Sequence, residues 1–204
     1  MSQPFLNDNP APDQEKKEGD ANRPSMADRL IESRTIQIGS AIDEKTATRV
    51  IGELLILEAM DKDAPITLFI NSPGGSVTAG FAIYDVLRFI QPRTRIICSG
   101  LAASIATVIL LGAKKEDRLA LPNTRLLIHQ PLISGSVYGP ASDLEITANE
   151  IIKTRKRINE LLAAETGQPF ERIEADTHRD YWLTAAEAVA YGLISRVIVN
   201  RSEI

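Results

Sequence analysis

The chain is poor in the residues that most often announce chemistry: one cysteine, two histidines and one tryptophan among 204 residues. The lone Cys98 cannot form an internal disulfide, which removes the stapled secreted class. It lies in the apolar run Arg95–Cys98 and reads either as a thiol nucleophile or as a small buried hydrophobe. The two histidines, His129 and His178, are far apart, and no close-spaced His/Cys cluster accompanies them, so neither a metal nor another cofactor is expected. No basic run stands out and the net charge is −4, which argues against nucleic-acid binding. No apolar stretch approaches the roughly 18 residues of a membrane span. The N-terminus carries no apolar signal core, and a cytoplasmic protein is expected.

What is present is the composition of a soluble globular protein, 44% hydrophobic and 25% charged, long enough for one domain with a substantial core. Residues 1–25 differ from the rest: polar, proline-bearing and nearly free of large apolar groups, they read as a flexible tail ahead of a domain over 26–204. From Met26 onward, elements alternate. A short helix (26–34), a strand (35–38), a helix opened by Asp43 and running to about Met60, a strand (66–70) and a helix from Val77 to Ile90 come first. A strand at 95–98, a helix after Ser104, and strands near 118–121 and 125–128 follow. Such alternation predicts an α/β fold with parallel pairing. The later third is more helical. Ser142–Glu145 has the pattern of a capping box opening a helix of about 34 Å that ends at Gly167. That helix mixes an apolar stripe with Lys153, Arg155, Lys156 and Arg157, which read as a solvated face more than as a nucleic-acid site. Thr184–Glu187 is a second capping box, and Gly192 stops its helix.

Three segments could carry chemistry. Ser104, in Gly100-Leu101-Ala102-Ala103-Ser104-Ile105, sits where a strand turns into an apolar helix. It can be a helix cap, a small packing residue, or a nucleophile at the positive end of a helix. Asn71–Ser76 also joins a strand to a helix, and its paired glycines allow a tight turn with N–H groups facing a cleft. It matches neither a phosphate-binding P-loop nor a dinucleotide fingerprint, which leaves an oxyanion hole or a plain connection. His129 stands at the end of the apolar strand before Gln130-Pro131, as a general base or as a structural histidine. His178, in a polar run, reads as a surface or interface residue. A serine nucleophile needs a base and a carboxylate orienting that base. Ser104, His129 and either Asp176 or Asp180 supply the types.

The segments INSPGG (70–75), GLAASI (100–105), Pro122-Asn123, IHQP (128–131), Thr166-Gly167-Gln168 and THRDYW (177–182) resemble the Clp protease proteolytic subunit, the caseinolytic serine peptidase family, across about residues 26–198. The resemblance implies a crotonase-like α/β fold with a head of βαβ units and a handle, about residues 132–165, made of one strand and the long helix. It implies Ser104 as nucleophile, His129 as general base and Asp180 as the orienting carboxylate, with Gly75 and Ile105 N–H groups as the oxyanion hole. An extended substrate would lie along Gly74–Val77 and Ile133–Val137 by β-augmentation, and Arg179 would sit where two rings meet. The implied assembly is a tetradecamer of two heptameric rings, fed by an AAA+ ATPase unfoldase that supplies the ATP chemistry absent from this chain. Residues 1–25 do not show the family's usual pore-lining segment, Leu132–Pro140 is longer than the common form, and His178 stands where an acidic residue is usual. Thr67 and Ser99 occupy positions that are often larger and apolar in the cleft receiving the ATPase. These departures suggest a divergent paralogue, working beside a second, more typical subunit or with an altered dependence on the ATPase; a largely structural ring subunit whose triad residues are misaligned is a separate alternative. An acyl-CoA hydratase of the same fold superfamily is a further alternative, one that would not call for the Ser–His–Asp trio.

Overall fold

The computed structural model describes residues 24–132, 135 and 138–204. Most of the expected tail therefore lies outside the described residues. Ser25, placed in that tail by composition, instead caps the first helix α1 (Met26–Glu32) through a capping box with Asp28. The helix is shorter than expected because Arg34 turns into the left-handed region at φ 52°. There its guanidinium donates to the carbonyls of Leu57, Asp61, Ala64 and Pro65, tying this turn to the end of α2 (Glu44–Met60).

The chain continues through β1 (Thr35–Ile38), α2, β2 (Ile66–Ser72), α3 (Val77–Phe89), β3 (Thr94–Ala103), α4 (Ile105–Leu110), β4 (Arg118–Ala120) and β5 (Arg125–Ile128). It ends with α5 (Ala141–Thr166), α6 (Phe170–Thr177), β6 (Tyr181–Thr184), α7 (Ala185–Tyr191) and β7 (Arg196–Val197). The sheet runs β1-β2-β3-β4-β7 with every pair parallel. One face of the sheet is fully buried, through Leu68, Ile70, Ile96 and Cys98, whereas β2 alternates and turns Thr67 and Phe69, only partly buried, to the other face.

β3 organises the molecule. Its first half (Ile96–Cys98) pairs with β4, and its second half (Leu101–Ala103) pairs with β5. Between them Gly100 takes φ 79°, where a Cβ would meet the Asn71 side chain at 2.9 Å. The strand thus extends past the expected Cys98. Gly100, Ala102 and Ala103 are weak strand formers by propensity, and the ladder of residues 101–103 to β5 holds the strand there. β6 then adds to β5 antiparallel, with Ile128 opposite Tyr181. All six residues of α4 are buried, the signature of a helix surrounded by core.

Capping chemistry explains the helix starts. Asp43, Ser76 and Thr184 each accept a backbone N–H of the following turn, and Thr184 completes its box with Glu187. The expected box at Ser142 does not form. α5 starts two residues earlier with Pro140 at its N-cap, whose carbonyl takes the Asp143 and Leu144 N–H groups, so Ser142 is already inside the first turn. α5 is 26 residues, about 39 Å. Only its second half packs against the body, through Ile158 and Leu162, while Leu144, Ile146 and Ile152 of the expected stripe or its flank are exposed. The basic face is paired within the chain: Lys153 with Glu150, Lys156 with Glu160, Arg155 with Glu174, and Arg157 over the Phe81 ring. α6 is an element that the sequence pattern did not indicate. Its segment is polar, and among its apolar side chains only Ile173 is buried. In the segment expected to hold the handle strand before α5, residues 133, 134, 136 and 137 lie outside the described residues.

Candidate active site

Four chain segments leave the sheet at one edge. β2, β3 and β5 are mutually parallel through β3 and end there at Ser72, Ala103 and Ile128, and the antiparallel β6 begins there at Tyr181. The residues just beyond these ends are the glycine loop, Ser104, His129 and Asp180. The carboxyl ends of parallel strands are where α/β sheets open a crevice, so topology brings together residues separated by more than a hundred positions.

Ser104 adopts φ 58° and ψ −127°, and its hydroxyl makes no cap bond to α4. That geometry removes the helix-cap reading, since capping residues sit in the extended region with the side chain on the helix N–H groups. The turn is held from outside. Ser104 N–H donates to Leu127 O at 2.9 Å, prolonging the β3–β5 ladder, and Thr107 Oγ1 donates to Ser104 O at 2.6 Å. The strained turn points Oγ away from the helix, 2.8 Å from His129 Nε2. His129 Nδ1 lies 2.9 Å from Asp180 Oδ1. With Nδ1–H donating to the carboxylate, Nε2 keeps its lone pair for the serine O–H.

The two candidate carboxylates separate cleanly. Asp180 meets His129, whereas Asp176 accepts the Tyr191 O–H at 2.8 Å and faces Arg172 at 3.5 Å. Burial, and then the Asp176 contact, raises the Tyr191 phenol above its ordinary range, so it stays a donor.

The glycine loop is fixed against the serine turn. The buried Ser72 Oγ accepts Gly74 N–H at 3.1 Å. Ile42 clamps the other side, its N–H donating to Gly74 O at 2.9 Å and its carbonyl accepting Ser76 N–H at 2.7 Å. This clamp bypasses the N–H of Gly75. A Cβ on Gly74 would stand 2.7 Å from both Ala103 O and Ser104 Cβ, and 3.3 Å from Ile105 N. The loop backbone therefore lies directly on the start of α4. Beside Ser104 a cleft of about 300 Å³ is lined by Val77, Thr107, Ile128, Pro131, Ile158 and Leu162. Apart from Ser104 and His129 themselves, its one polar side chain is Thr107, whose hydroxyl is committed to Ser104 O, so the rest of the cleft is apolar. Ile133 lies outside the described residues. Arg179 and His178 are exposed on the loop before β6. Among the described residues no cluster of three His, Cys, Asp or Glu side chains is arranged to hold a metal.

Sequence reasoning did not single out Ile42, Ser72, Thr107 or Gln130 in this setting. Ser72 and Gln130 lie inside the quoted motifs, but the link made by Ile42 is purely spatial.

On the opposite side of the head, a second apolar cleft of about 570 Å³ is lined by Thr67, Phe69, Ile97, Leu121, Ile198 and Ile204, among others. Of the two residues that the resemblance placed in an apolar cleft, Thr67 lines this one and Ser99 does not.

A mostly parallel α/β sheet thus carries Ser104, His129 and Asp180 in one hydrogen-bonded chain at its carboxyl edge, an arrangement able to draw a proton from a serine hydroxyl. Residues 18–201 match the Clp protease family, and the chain belongs to that family.

Proposed function

We propose that this chain is the proteolytic subunit of an ATP-dependent Clp-type protease, a serine endopeptidase that cleaves unfolded polypeptides inside a barrel-shaped oligomer. The observation that carries the reading is the continuous chain Ser104 Oγ, His129 Nε2, His129 Nδ1, Asp180 Oδ1, with links of 2.8 and 2.9 Å. In the first step His129 Nε2 takes the Ser104 proton while Oγ attacks the peptide carbonyl carbon. Asp180 holds the imidazole orientation and balances its positive charge. The resulting oxyanion is received by the N–H groups of Gly75 and Ile105. His129 then returns the proton to the leaving amine, giving an acyl-enzyme on Ser104 and a free new N-terminus. Water, deprotonated by His129, releases the second product and restores the serine. Gly74 and Val77 would hold the extended substrate beside the apolar cleft, and Ile133 completes this binding edge by family resemblance.

Unfolding would be done by an AAA+ ATPase partner. The apolar cleft containing Thr67 fits an apolar docking group on that partner. The assembly reading, two stacked heptameric rings with Arg179 at their contact, is supported by the protruding half of α5, whose apolar side chains find no cover within the described residues. Departures in the N-terminal segment and around His178 favour a mixed complex with a second paralogue. The setting we infer is cytoplasmic, consistent with a single buried cysteine.

The test is a serine-directed fluorophosphonate on the assembled complex. The expected result is one covalent adduct, on Ser104, and loss of both labelling and peptide hydrolysis in Ser104→Ala. An assembled complex that leaves Ser104 unlabelled would instead mark this chain as a structural ring subunit. Native mass spectrometry of the complex from its own cells decides between one kind of subunit and two.

A further inference from the structure

Asp180 is the weakly held member of the hydrogen-bonded chain. Its side chain is 62% exposed, against 15% for His129, and among the described residues its carboxylate has one hydrogen bond, the one to His129. A carboxylate so open to water is not oriented by its own packing. The β5–β6 ladder fixes one side of it, because Ile128 pairs with Tyr181, the residue after Asp180. The other side is the short loop His178-Arg179-Asp180 leading out of α6, and both loop residues before Asp180 are exposed. Something must hold the start of that loop at a fixed distance from His129.

The residue next to His129 does so. Gln130 N–H donates to Thr177 O at 2.7 Å, and Gln130 Nε2 donates to His178 O at 2.7 Å. The acceptors are themselves anchored: Thr177 is buried, and its hydroxyl bonds Asn159 Oδ1 and Ile173 O. The loop carrying Asp180 is thus pinned at both ends to the segment carrying His129, by the ladder beyond Asp180 and by Gln130 before it. The backbone bond survives most substitutions, whereas the Nε2 bond to His178 O depends on the amide.

We propose that Gln130 is a positioning residue for the reaction, its side-chain amide setting the His129–Asp180 alignment by strapping the Thr177–His178 turn to the end of β5. This rests on the serine-peptidase reading of the same site. Gln130 touches neither substrate nor reacting atoms in that reading; it acts through Asp180. Because the Gln130 amide bonds the Thr177–His178 turn and does not line the apolar cleft, its loss falls on chemistry and leaves substrate binding intact.

The test uses the full chain in its assembled complex, with a short fluorogenic peptide and a fluorophosphonate as probes. Gln130→Met keeps the side-chain length and removes the donor; Gln130→Glu does the same and sets a carboxylate against a carbonyl. Both are expected to lower kcat and the Ser104 labelling rate together, by about 10- to 100-fold, with KM changed less than about two-fold. In an Asp180→Asn background, Gln130→Met is expected to add less than about a two-fold further loss, because the two residues act as one unit. Hydrogen exchange over residues 177–181 should quicken in the single variants. If Gln130→Met does not assemble, Gln130→Glu is read in the same assays, and exchange in whichever complex forms still reports the strap. Unchanged kcat in an active assembled complex overturns the proposal. So does a full, independent loss in the Asp180→Asn background, or a loss confined to KM. A wild-type complex that neither labels nor cleaves overturns the peptidase reading and this proposal with it. An active wild type beside an equally active Gln130→Met overturns this proposal alone.

Discussion

Gly75 carries two constraints that only the absence of a side chain satisfies. Its φ of 152° is a conformation that L residues rarely adopt, and a Cβ built there would lie 2.2 Å from Ile42 O. The intruding contact is backbone, so it cannot swing aside. Gly75→Ala therefore has to break the Ile42 clamp and shift the Gly75 backbone, its N–H included. On the oxyanion-hole reading, kcat for a short peptide should fall by about 10²- to 10³-fold while the complex stays assembled. Retained kcat would show that this N–H is not used. Cys98 makes the opposite case, a reactive residue type placed where it cannot react. Burial pushes its thiol up to about 12, so at pH 8 the native protein should resist a disulfide reagent that modifies it at once after denaturation. The fold thus prefers the protonated thiol. Its contribution to stability is fully present below the ordinary value of 9.0 and fades as pH rises towards about 12, and pH titration of unfolding should be less steep on the alkaline side in Cys98→Ala. The sequence placed Cys98 in a strand but could not choose between thiol and hydrophobe; only the extent of burial decides that. Ser104 was similarly open, and its positive φ, which no pattern of residues announces, removes the cap.

At the scale of elements, two segments with the same capping pattern behave differently. Thr184 and Glu187 form both bonds of their box at the start of α7, while Ser142 forms none at the start of α5. The difference is local. Pro140, with a fixed φ and no N–H, starts α5 before Ser142 can serve, whereas Thr184 ends a paired strand and enters the helix in the extended conformation a cap requires. Thr184→Ala should cost about 1 kcal/mol in thermal unfolding of matched complexes. Ser142→Ala should stay within about 0.5 kcal/mol, and an equal loss in both would contradict the structural difference. The same contrast explains what was legible. Strands β1, β2 and β5 and helices α2 and α3 advertise themselves by apolar runs or a capped periodic face. α6 is short and polar and β6 has only four residues, both defined by what they pack against, so the loop between them that bears Asp180 takes its place only in three dimensions. The trio of site residues was nonetheless readable, because each sits in a motif whose order matches the family. The strap and the clamp that fix them were not.

The whole molecule divides α5 into a rooted half and a free half. The root is anchored by Arg118, fully buried on β4, which donates to the carbonyls of Leu111, Ala113 and Glu165 and pairs with the Glu165 carboxylate. Arg118→Met should cost about 3 kcal/mol, the low end for a broken buried pair, because Glu165 retains Arg88 at 3.9 Å and some contact with water. Beyond the root, the helix from Ala141 onward buries no residue until Ile158. A helical stretch of that length is marginal in water, and ion pairs such as Lys153–Glu150 contribute a few tenths of a kcal/mol each. Yet it displays Ile146 at 62% and Ile152 at 55% exposure, side chains that gain nothing from facing solvent. On the double-ring reading these residues are covered by another copy of the handle. Burying each would contribute about 1.5–3 kcal/mol, repeated at every copy around the ring. The double substitution Ile146→Asp and Ile152→Asp should therefore split the assembly into smaller species by native mass spectrometry. Thermal unfolding of the head, whose core does not include these residues, should be left nearly unchanged. Splitting with an intact head places the handle at the subunit contact; a variant that keeps the wild-type assembly mass places that contact elsewhere.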